Sequence, residues 1–185
     1  MSEPATRPLD TADEQIAELI HLFSAQDEAA LSLPCPGREK LGDGTIGALA
    51  LHTADNYLRI AEFLQNASEM SAGHTGGRRR RHWMPRFLRA HGHTSRSHDG
   101  DHAQSTHRGA YTARNLRPAD LLGRLSAARE AFSRLAEMTN ERLHTVPPAD
   151  SFRFCDGQRT LEQVINNLLK HQRHQLDALK TGLAQ

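Results

Sequence analysis

The sequence predicts an all-α protein, a four-helix bundle in a single domain that spans residues 1–185. Four separate segments carry apolar residues at the spacing of an amphipathic helix. Short connections join the first segment to the second and the third to the fourth. Hydrophobic residues make up 37% of the 185 positions and aromatic residues only 5%, so we expect a core of packed Leu, Ala and Ile side chains.

The first two predicted helices cover residues 11–31 and 44–66. Asp10 or Thr11 is placed to cap the first helix, and the segment Leu-Pro-Cys-Pro-Gly at residues 33–37 ends it. Asp43 or Thr45 opens the second. The apolar stripes consist of Ile16, Leu19, Ile20, Phe23 and Ala30 in the first helix, and of Ile46, Leu49, Ala50, Tyr57, Ile60 and Leu64 in the second.

The third and fourth predicted helices lie in the second half of the chain. The third opens at Pro118, a residue suited to the first helical turn, and its apolar stripe continues to Leu143. The segment Val-Pro-Pro at residues 146–148 ends that stretch. The fourth opens with Thr160-Leu-Glu-Gln163, which has the pattern of a capping box, and its stripe continues to Leu179.

Residues 71–115 form a long connection between the second and third predicted helices. This stretch holds seven of the twelve histidines, a run of four arginines, and many Gly and Ser residues. It has little apolar periodicity, so we expect a flexible His/Arg-rich insertion within the bundle domain. Because the connection is long, the two helices that it joins need not run antiparallel.

Charge and composition exclude several broad classes of protein. The 23 Lys and Arg residues nearly balance the 22 Asp and Glu residues, which argues against general electrostatic binding to nucleic acid. The first residues lack an apolar secretion signal, and no apolar run is long enough to cross a membrane. Cys35 and Cys155 do not make a disulfide framework, so we expect two thiols in a cytoplasmic protein.

Two of the predicted helices carry histidines where a metal could bind. His52 lies at the edge of the apolar stripe of the second helix. On the fourth helix, at about 100° per residue from Leu168, His171 falls at about −60°, Gln175 at about −20° and His174 at about −120°. Helical spacing therefore turns His171 and Gln175 inward together. Ligands from facing helices are a common way to build a metal site inside a bundle.

Residue chemistry leaves the third ligand open. An amide oxygen is a weaker ligand for zinc or nickel than an imidazole, so ligand strength favours His174 where helical spacing favours Gln175. Metal binding itself also has an alternative. A single histidine beside an apolar stripe is more often solvated or hydrogen-bonded than a ligand, and His171 and His174 also suit an ordinary C-terminal turn.

The two histidine segments resemble motifs of the DinB superfamily. Residues 45–55, Thr-Ile-Gly-Ala-Leu-Ala-Leu-His-Thr-Ala-Asp, are similar to its second helix, where an apolar run ends in His-x-x-Asp. Residues 160–179 are similar to its last helix, which usually reads His-x-x-His-His. The resemblance covers roughly residues 11–70 and 116–182. It implies an up-down-down-up four-helix bundle with a three-residue metal site at one end.

The resemblance assigns ligands position by position. It makes His52 the ligand from the second helix and His171 the first ligand from the last helix. The third ligand position holds Gln175 where the family has histidine, and His174 matches the middle histidine, which is not a principal ligand. We therefore expect a zinc or nickel site formed by His52, His171 and Gln175, with His174 as the alternative third ligand.

Characterised members of this superfamily include S-transferases that use bacillithiol or mycothiol, and isomerases that need mycothiol. The resemblance thus implies a metal-dependent enzyme that joins a low-molecular-weight thiol to a small electrophile, with the metal holding the thiol as thiolate. The alternative is a non-catalytic, stress-related bundle that binds a metal or another ligand, which the departure at Gln175 favours. Bundles of this kind often pair through an exposed helical face, so a homodimer is a further expectation.

The insertion contains a second candidate site. Arg78, Arg79, Arg80 and Arg81, followed by Trp83, form a cationic patch that could bind an anionic group of a substrate or thiol cofactor. Three interpretations remain open for this segment: a solvated insertion, a lid over the active end, and a contact with nucleic acid. The near-neutral charge of the whole chain counts against the last.

Overall fold

A computed structural model describes residues 6–72, 111–113, 115–135 and 138–185. Within those ranges the protein has six helices and no strand, apart from an isolated bridge between Pro34 and Thr45. The prediction of an all-α protein is therefore confirmed for the described residues. None of the helices in these ranges combines the length and the apolar character needed to span a bilayer.

The first predicted helix is two helices. Helix α1 covers Thr6–Ser24 and helix α2 covers Glu28–Leu31, so a single helix over residues 11–31 was wrong. The chain turns after α1, where the backbone N–H of Gln26 donates to Phe23 O over 3.2 Å. Asp27 then caps α2, because its Oδ1 accepts from the N–H of Ala30 at 2.9 Å. A new cap within the predicted helix thus starts a separate short one.

Helix α3 covers Ile46–Ala72 and carries His52. Thr45 precedes it, and its Oγ1 accepts a hydrogen bond from the N–H of Ala48 at 3.1 Å, as an N-cap does. The helix continues six residues beyond the predicted end at residue 66. The far end of α3 therefore includes the first two residues of the predicted insertion.

The third predicted helix is also divided. Helix α4 covers Pro118–Ser133, and the short helix α5 covers Asn140–Leu143. The chain leaves α4 in a turn where the N–H of Leu135 donates to Phe132 O over 2.9 Å. Helix α6 covers Leu161–Leu183, and both halves of its predicted capping box are present between Thr160 and Gln163. That local prediction is confirmed.

The four long helices pack in the cyclic order α1, α4, α3, α6. Helices α3 and α6 run antiparallel, since Gly182 lies against Ile46 whereas Gln175 meets Thr53 further along α3. Helices α3 and α4 run parallel. A Cβ at Gly47 near the start of α3 would lie 3.3 Å from Leu116, just before α4. Further along both helices, Asp55 of α3 pairs with Arg124 of α4. The long connection after α3 makes this parallel arrangement feasible.

The hydrophobic core lies where the four long helices meet and includes most of the predicted stripe residues. Buried side chains without exposure include Ile16, Leu19, Phe23, Ile46, Tyr57, Leu64, Leu121, Ala128, Val164, Ile165, Leu176 and Leu179. Tyr111 and Ala113, which the prediction placed inside the insertion of residues 71–115, are also buried. The N–H of Asp43 donates to Tyr111 O, which ties this returning segment to the chain just before α3.

Candidate metal centre

The centre of the candidate site is a buried polar contact between α3 and α6. Thr53 is fully buried and Gln175 is only 3% exposed, and Thr53 Oγ1 lies 3.1 Å from Gln175 Oε1. The surrounding interface is apolar, so both polar side chains need hydrogen-bond partners within the protein. This contact sets Gln175 in a defined position next to His171.

His171 lies one turn before Gln175 on α6 and is half-buried. Its Nε2 is 3.1 Å from Gln175 Nε2. Burial lowers the pKa of the His171 imidazole, and the positive charges of Arg153 and Arg38, with a contribution from His174, lower that pKa further. The imidazole is therefore neutral at physiological pH, the form in which histidine binds a divalent metal.

The hydroxyl proton of Thr53 cannot serve both of its neighbours. Thr53 Oγ1 lies 2.7 Å from the backbone oxygen of Leu49 as well as 3.1 Å from Gln175 Oε1, and a hydroxyl has one proton to donate. When it donates to Leu49, only the amide nitrogen of Gln175 makes a hydrogen bond to Oγ1. Rotating the amide by half a turn satisfies that bond and brings Oε1 towards Nε2 of His171. In this orientation Gln175 presents an oxygen ligand beside the imidazole.

His52 occupies the rim of α3 next to this contact. It is half-buried, its Nε2 lies 3.0 Å from Nδ2 of Asn56, and its ring meets Tyr111 edge to face at a centroid distance of 4.9 Å. Burial raises the pKa of the Tyr111 phenol, so the Tyr111 side chain stays neutral at physiological pH. Because Thr53 directly follows His52, their Cα atoms are about 3.8 Å apart. The backbone of His52 therefore lies one residue away from the α3–α6 contact.

His174 differs from its neighbours in exposure. It is exposed to solvent, whereas Gln175 is buried and His171 is half-buried. This arrangement matches the orientation expected from helical spacing on the last helix. Whether Gln175 or His174 binds a metal stays a prediction.

The donor set fits a divalent cation in its chemistry. Two imidazoles and one amide oxygen suit zinc or nickel and leave coordination positions open for another molecule. Each imidazole Nε2 faces a side-chain amide four residues later on its own helix. Such an amide can turn its oxygen to the metal or hold the ring from outside. In the described ranges no three His, Cys, Asp or Glu side chains cluster in a way that could hold a metal, and the candidate site instead combines two histidines with a glutamine.

Neither cysteine has the solvent exposure that a nucleophilic thiol needs. Cys35 and Cys155 are both buried, and burial raises the pKa of the Cys35 thiol. A raised pKa keeps Cys35 protonated at neutral pH, the form that reacts poorly with electrophiles.

Comparison with protein-family models, curated proteins and solved structures finds no match to this chain.

One cavity within the described residues has no histidine among its lining residues. It has a volume of about 310 Å³, and Glu28, Asp43, Thr45 and Asn115 are among its lining residues. Thr45 precedes His52 by seven residues, or about 10 Å along α3. Asp43 is occupied there by hydrogen bonds from its neighbours, so this cavity does not complete the candidate metal centre.

The second predicted site lies outside the described residues. Arg78, Arg79, Arg80, Arg81 and Trp83 all belong to residues 73–110, and so do the seven clustered histidines. Their role as a substrate-binding patch therefore stays a prediction from the sequence.

Three residues of the candidate site were not predicted from the sequence: Thr53, Asn56 and Tyr111. A signal for Asn56 is present in the sequence, because His52 and Asn56 repeat the spacing of His171 and Gln175, a histidine followed four residues later by an amide. Residues at that spacing share a helix face. No such signal exists for Tyr111, because it lies 59 positions after His52 in the sequence and contacts that ring only in the folded protein.

Proposed function

We propose that this protein is a metal-dependent enzyme of the DinB type that transfers a low-molecular-weight thiol, such as mycothiol or bacillithiol, to a small electrophile. The proposal includes an up-down-down-up four-helix bundle. Two packing directions support that topology: α3 runs antiparallel to α6 and parallel to α4. The resemblance of residues 45–55 and 160–179 to the family motifs supplies the activity.

The observation that carries the proposal is the chain of contacts from Thr53 through Gln175 to His171. It joins α3 to α6 through polar atoms 3.1 Å apart at each step. In an apolar interface such a chain is costly unless every member is satisfied. A site for a bound cation gives a reason for retaining it, because His171 and Gln175 then act as ligands and Thr53 orients the amide.

A divalent cation bound by His171, Gln175 and His52 would supply Lewis acidity that keeps the sulfur of a thiol ionised at neutral pH. The residues of the chain prepare the site. Burial keeps the His171 imidazole neutral, and Thr53 holds the amide of Gln175. Tyr111 packs against the His52 ring and limits its rotation. With Cys35 protonated by burial, the attacking sulfur comes from the co-substrate.

A non-catalytic bundle that binds a metal or another ligand is the second candidate. The observation that favours it is the amide that already faces Nε2 of each histidine, Asn56 for His52 and Gln175 for His171. These pairs give Nε2 of each ring a hydrogen-bond partner without a metal. In this function the histidines contribute to stability and ligand binding, and no thiol is transferred.

The deciding experiment measures metal binding and thiol transfer on the same protein. Untagged protein is stripped with a chelator and titrated with zinc or nickel, and transfer of mycothiol or bacillithiol to monochlorobimane is then followed by fluorescence. His52→Ala and His171→Ala should each abolish transfer and weaken metal binding. His21→Ala is the matched control, since His21 is exposed on α1.

Three results are distinct. Metal binding with transfer supports the enzyme. Metal binding without transfer to any of these thiols favours the second candidate. Wild-type protein that takes up no metal, and whose melting temperature metal does not raise, overturns the metal site, because a ligand bound only by the native state must raise stability.

A further inference from the structure

The two helices of the candidate site repeat one local pattern. On α3, Nε2 of His52 lies 3.0 Å from the side-chain amide nitrogen of Asn56. On α6, Nε2 of His171 lies 3.1 Å from the amide nitrogen of Gln175. In each pair the amide follows the histidine by four residues, so the two side chains share one face of their helix. The ligand set predicted from the sequence uses the amide of Gln175 and leaves out that of Asn56.

Two contacts fix the register between α3 and α6. Thr53 Oγ1 meets Gln175 Oε1 at 3.1 Å, and Gly182 packs against Ile46. Ile46 lies seven residues before Thr53, and Gly182 lies seven residues after Gln175. Both contacts therefore describe the same antiparallel alignment, in which a step forward along α3 matches a step backward along α6.

This register sets each histidine opposite the amide of the other helix. Asn56 lies three residues after Thr53. His171 lies four residues before Gln175, so its height along the helix axes differs from that of Asn56 by one residue, or about 1.5 Å. His52 directly precedes Thr53 and therefore lies about 1.5 Å from the height of Gln175.

Helical rotation places these side chains along the same edge of the α3–α6 interface. At about 100° per residue, Asn56 is turned by about −60° and His52 by about −100° from Thr53. His171 is turned by about −40° from Gln175. Between antiparallel helices that face each other, rotations of the same sign lead to the same edge. His52, Asn56 and His171 are all half-buried, so this edge is accessible to solvent.

The gap between the helices matches the reach of these side chains. The axes of packed helices lie about 8–10 Å apart, and Thr53 and Gln175 bridge that gap with atoms 3.1 Å apart. Asn56 and His171 start on the same helices about one turn from this bridge, and together they are as long as Thr53 and Gln175. A single ion at this edge is therefore within reach of both histidine–amide pairs.

We propose that Asn56 is a fourth ligand of the metal, which completes a site of two imidazoles and two amide oxygens. The presence of a metal rests on the proposed function, whereas the choice of Asn56 rests on the register of the helices. Each amide places its nitrogen beside Nε2 of its histidine, and half a turn of the amide exchanges that nitrogen for oxygen. Catalytic zinc accepts a fifth ligand, so the sulfur of a co-substrate still has a position.

The test measures metal binding rather than thiol transfer. Untagged protein is titrated with cobalt(II), whose visible absorption weakens as ligands are added and so reports the coordination. Asn56→Ala should bind cobalt at least about tenfold more weakly than wild type, and its spectrum at saturation should be more intense because one ligand is lost. Asn56→Asp keeps an oxygen at this position and should bind at least as tightly as wild type. The control Asn166→Ala removes an exposed asparagine of α6 and should bind like wild type.

Three results would overturn the inference. Equal affinity of Asn56→Ala and wild type would show that Asn56 does not contribute to the site. Weaker binding with an unchanged spectrum at saturation would make Asn56 a positioning residue that holds the His52 ring from outside. In both cases the protein still binds metal, so the proposed function stands without the fourth ligand. Wild type that takes up no cobalt would remove the metal site and the proposed function together. If Asn56→Ala unfolds, Asn56→Ser takes its place, because its hydroxyl is too short to reach the ion.

Discussion

Thr53 of α3 and Gln175 of α6 meet through side-chain oxygens 3.1 Å apart, at a point of the interface where both residues are buried. Sliding the helices by one turn would separate this pair and leave two polar groups in an apolar interface. The contact therefore specifies the register between α3 and α6. It also places Gln175 beside His171, so the same contact that aligns the helices organises the candidate site.

Removing the hydroxyl of Thr53 should destabilise the protein more than removing its methyl group. Thr53→Val keeps the shape but leaves the Gln175 amide without its partner, which we expect to cost about 1–3 kcal/mol. Thr53→Ser keeps the hydroxyl and loses one methyl, which costs about 1 kcal/mol. Urea denaturation of both variants measures the difference. A valine variant as stable as wild type would show that the contact contributes nothing.

Gln175 should matter more than His174 for metal affinity. Gln175→Ala removes a buried donor next to His171 and should weaken zinc binding at least about tenfold, whereas His174→Ala changes an exposed side chain. Gln175→His should strengthen binding, because imidazole is the better ligand. Competition titrations with a chelating dye give the affinities. The reverse order of the two alanine variants would assign the third ligand to His174.

Two glycines in helices should respond to alanine in opposite directions. A Cβ at Gly47 of α3 would lie 2.8 Å from Ala113 Cβ and 3.0 Å from Leu31 O, so Gly47→Ala should cost about 1–3 kcal/mol despite its better helix propensity. A Cβ at Gly123 of α4 would meet nothing within 4 Å, and Gly123→Ala should add about 0.5–1 kcal/mol. Thermal unfolding of the matched pair tests the packing of α3 against its neighbours. A shift in the same direction for both would contradict it.

The carboxylate of Asp43 should make stability depend on pH in the acid range. Burial acts to raise its pKa, but hydrogen bonds from Thr45, Thr112 and Ala113 outweigh that effect and hold the pKa below its usual 3.8. A lowered pKa means that this stabilisation is complete above pH 3.8. It is lost as the pH falls through the lower pKa of the folded state.

Asp43→Asn should therefore lower the melting temperature at pH 7, and the gap to wild type should close as the pH falls below about 3.8. Glu14→Gln is the control, because Glu14 is exposed on α1. A difference in melting temperature that stays constant down to pH 2 would mean that ionisation of the Asp43 carboxylate does not affect stability. In that case the hydrogen bonds of the ionised form contribute no stability.

Helix ends marked by local chemistry were predictable from the sequence. The capping box at Thr160 and Gln163 forms as expected, and α4 begins at Pro118. Caps and first-turn prolines act within three or four residues, so the chain specifies them without reference to its neighbours. The inward turn of Gln175 and the exposure of His174 also follow from helical spacing alone.

The sequence by itself thus determined the helical class, most of the core stripe and the helix face on which each candidate residue lies. Tertiary structure decided the burial of Tyr111 and the meeting of Thr53 with Gln175. The physical reason is the range of the interactions. Periodicity and capping are set by neighbours along the chain, whereas a contact between residues 122 positions apart depends on how whole helices pack.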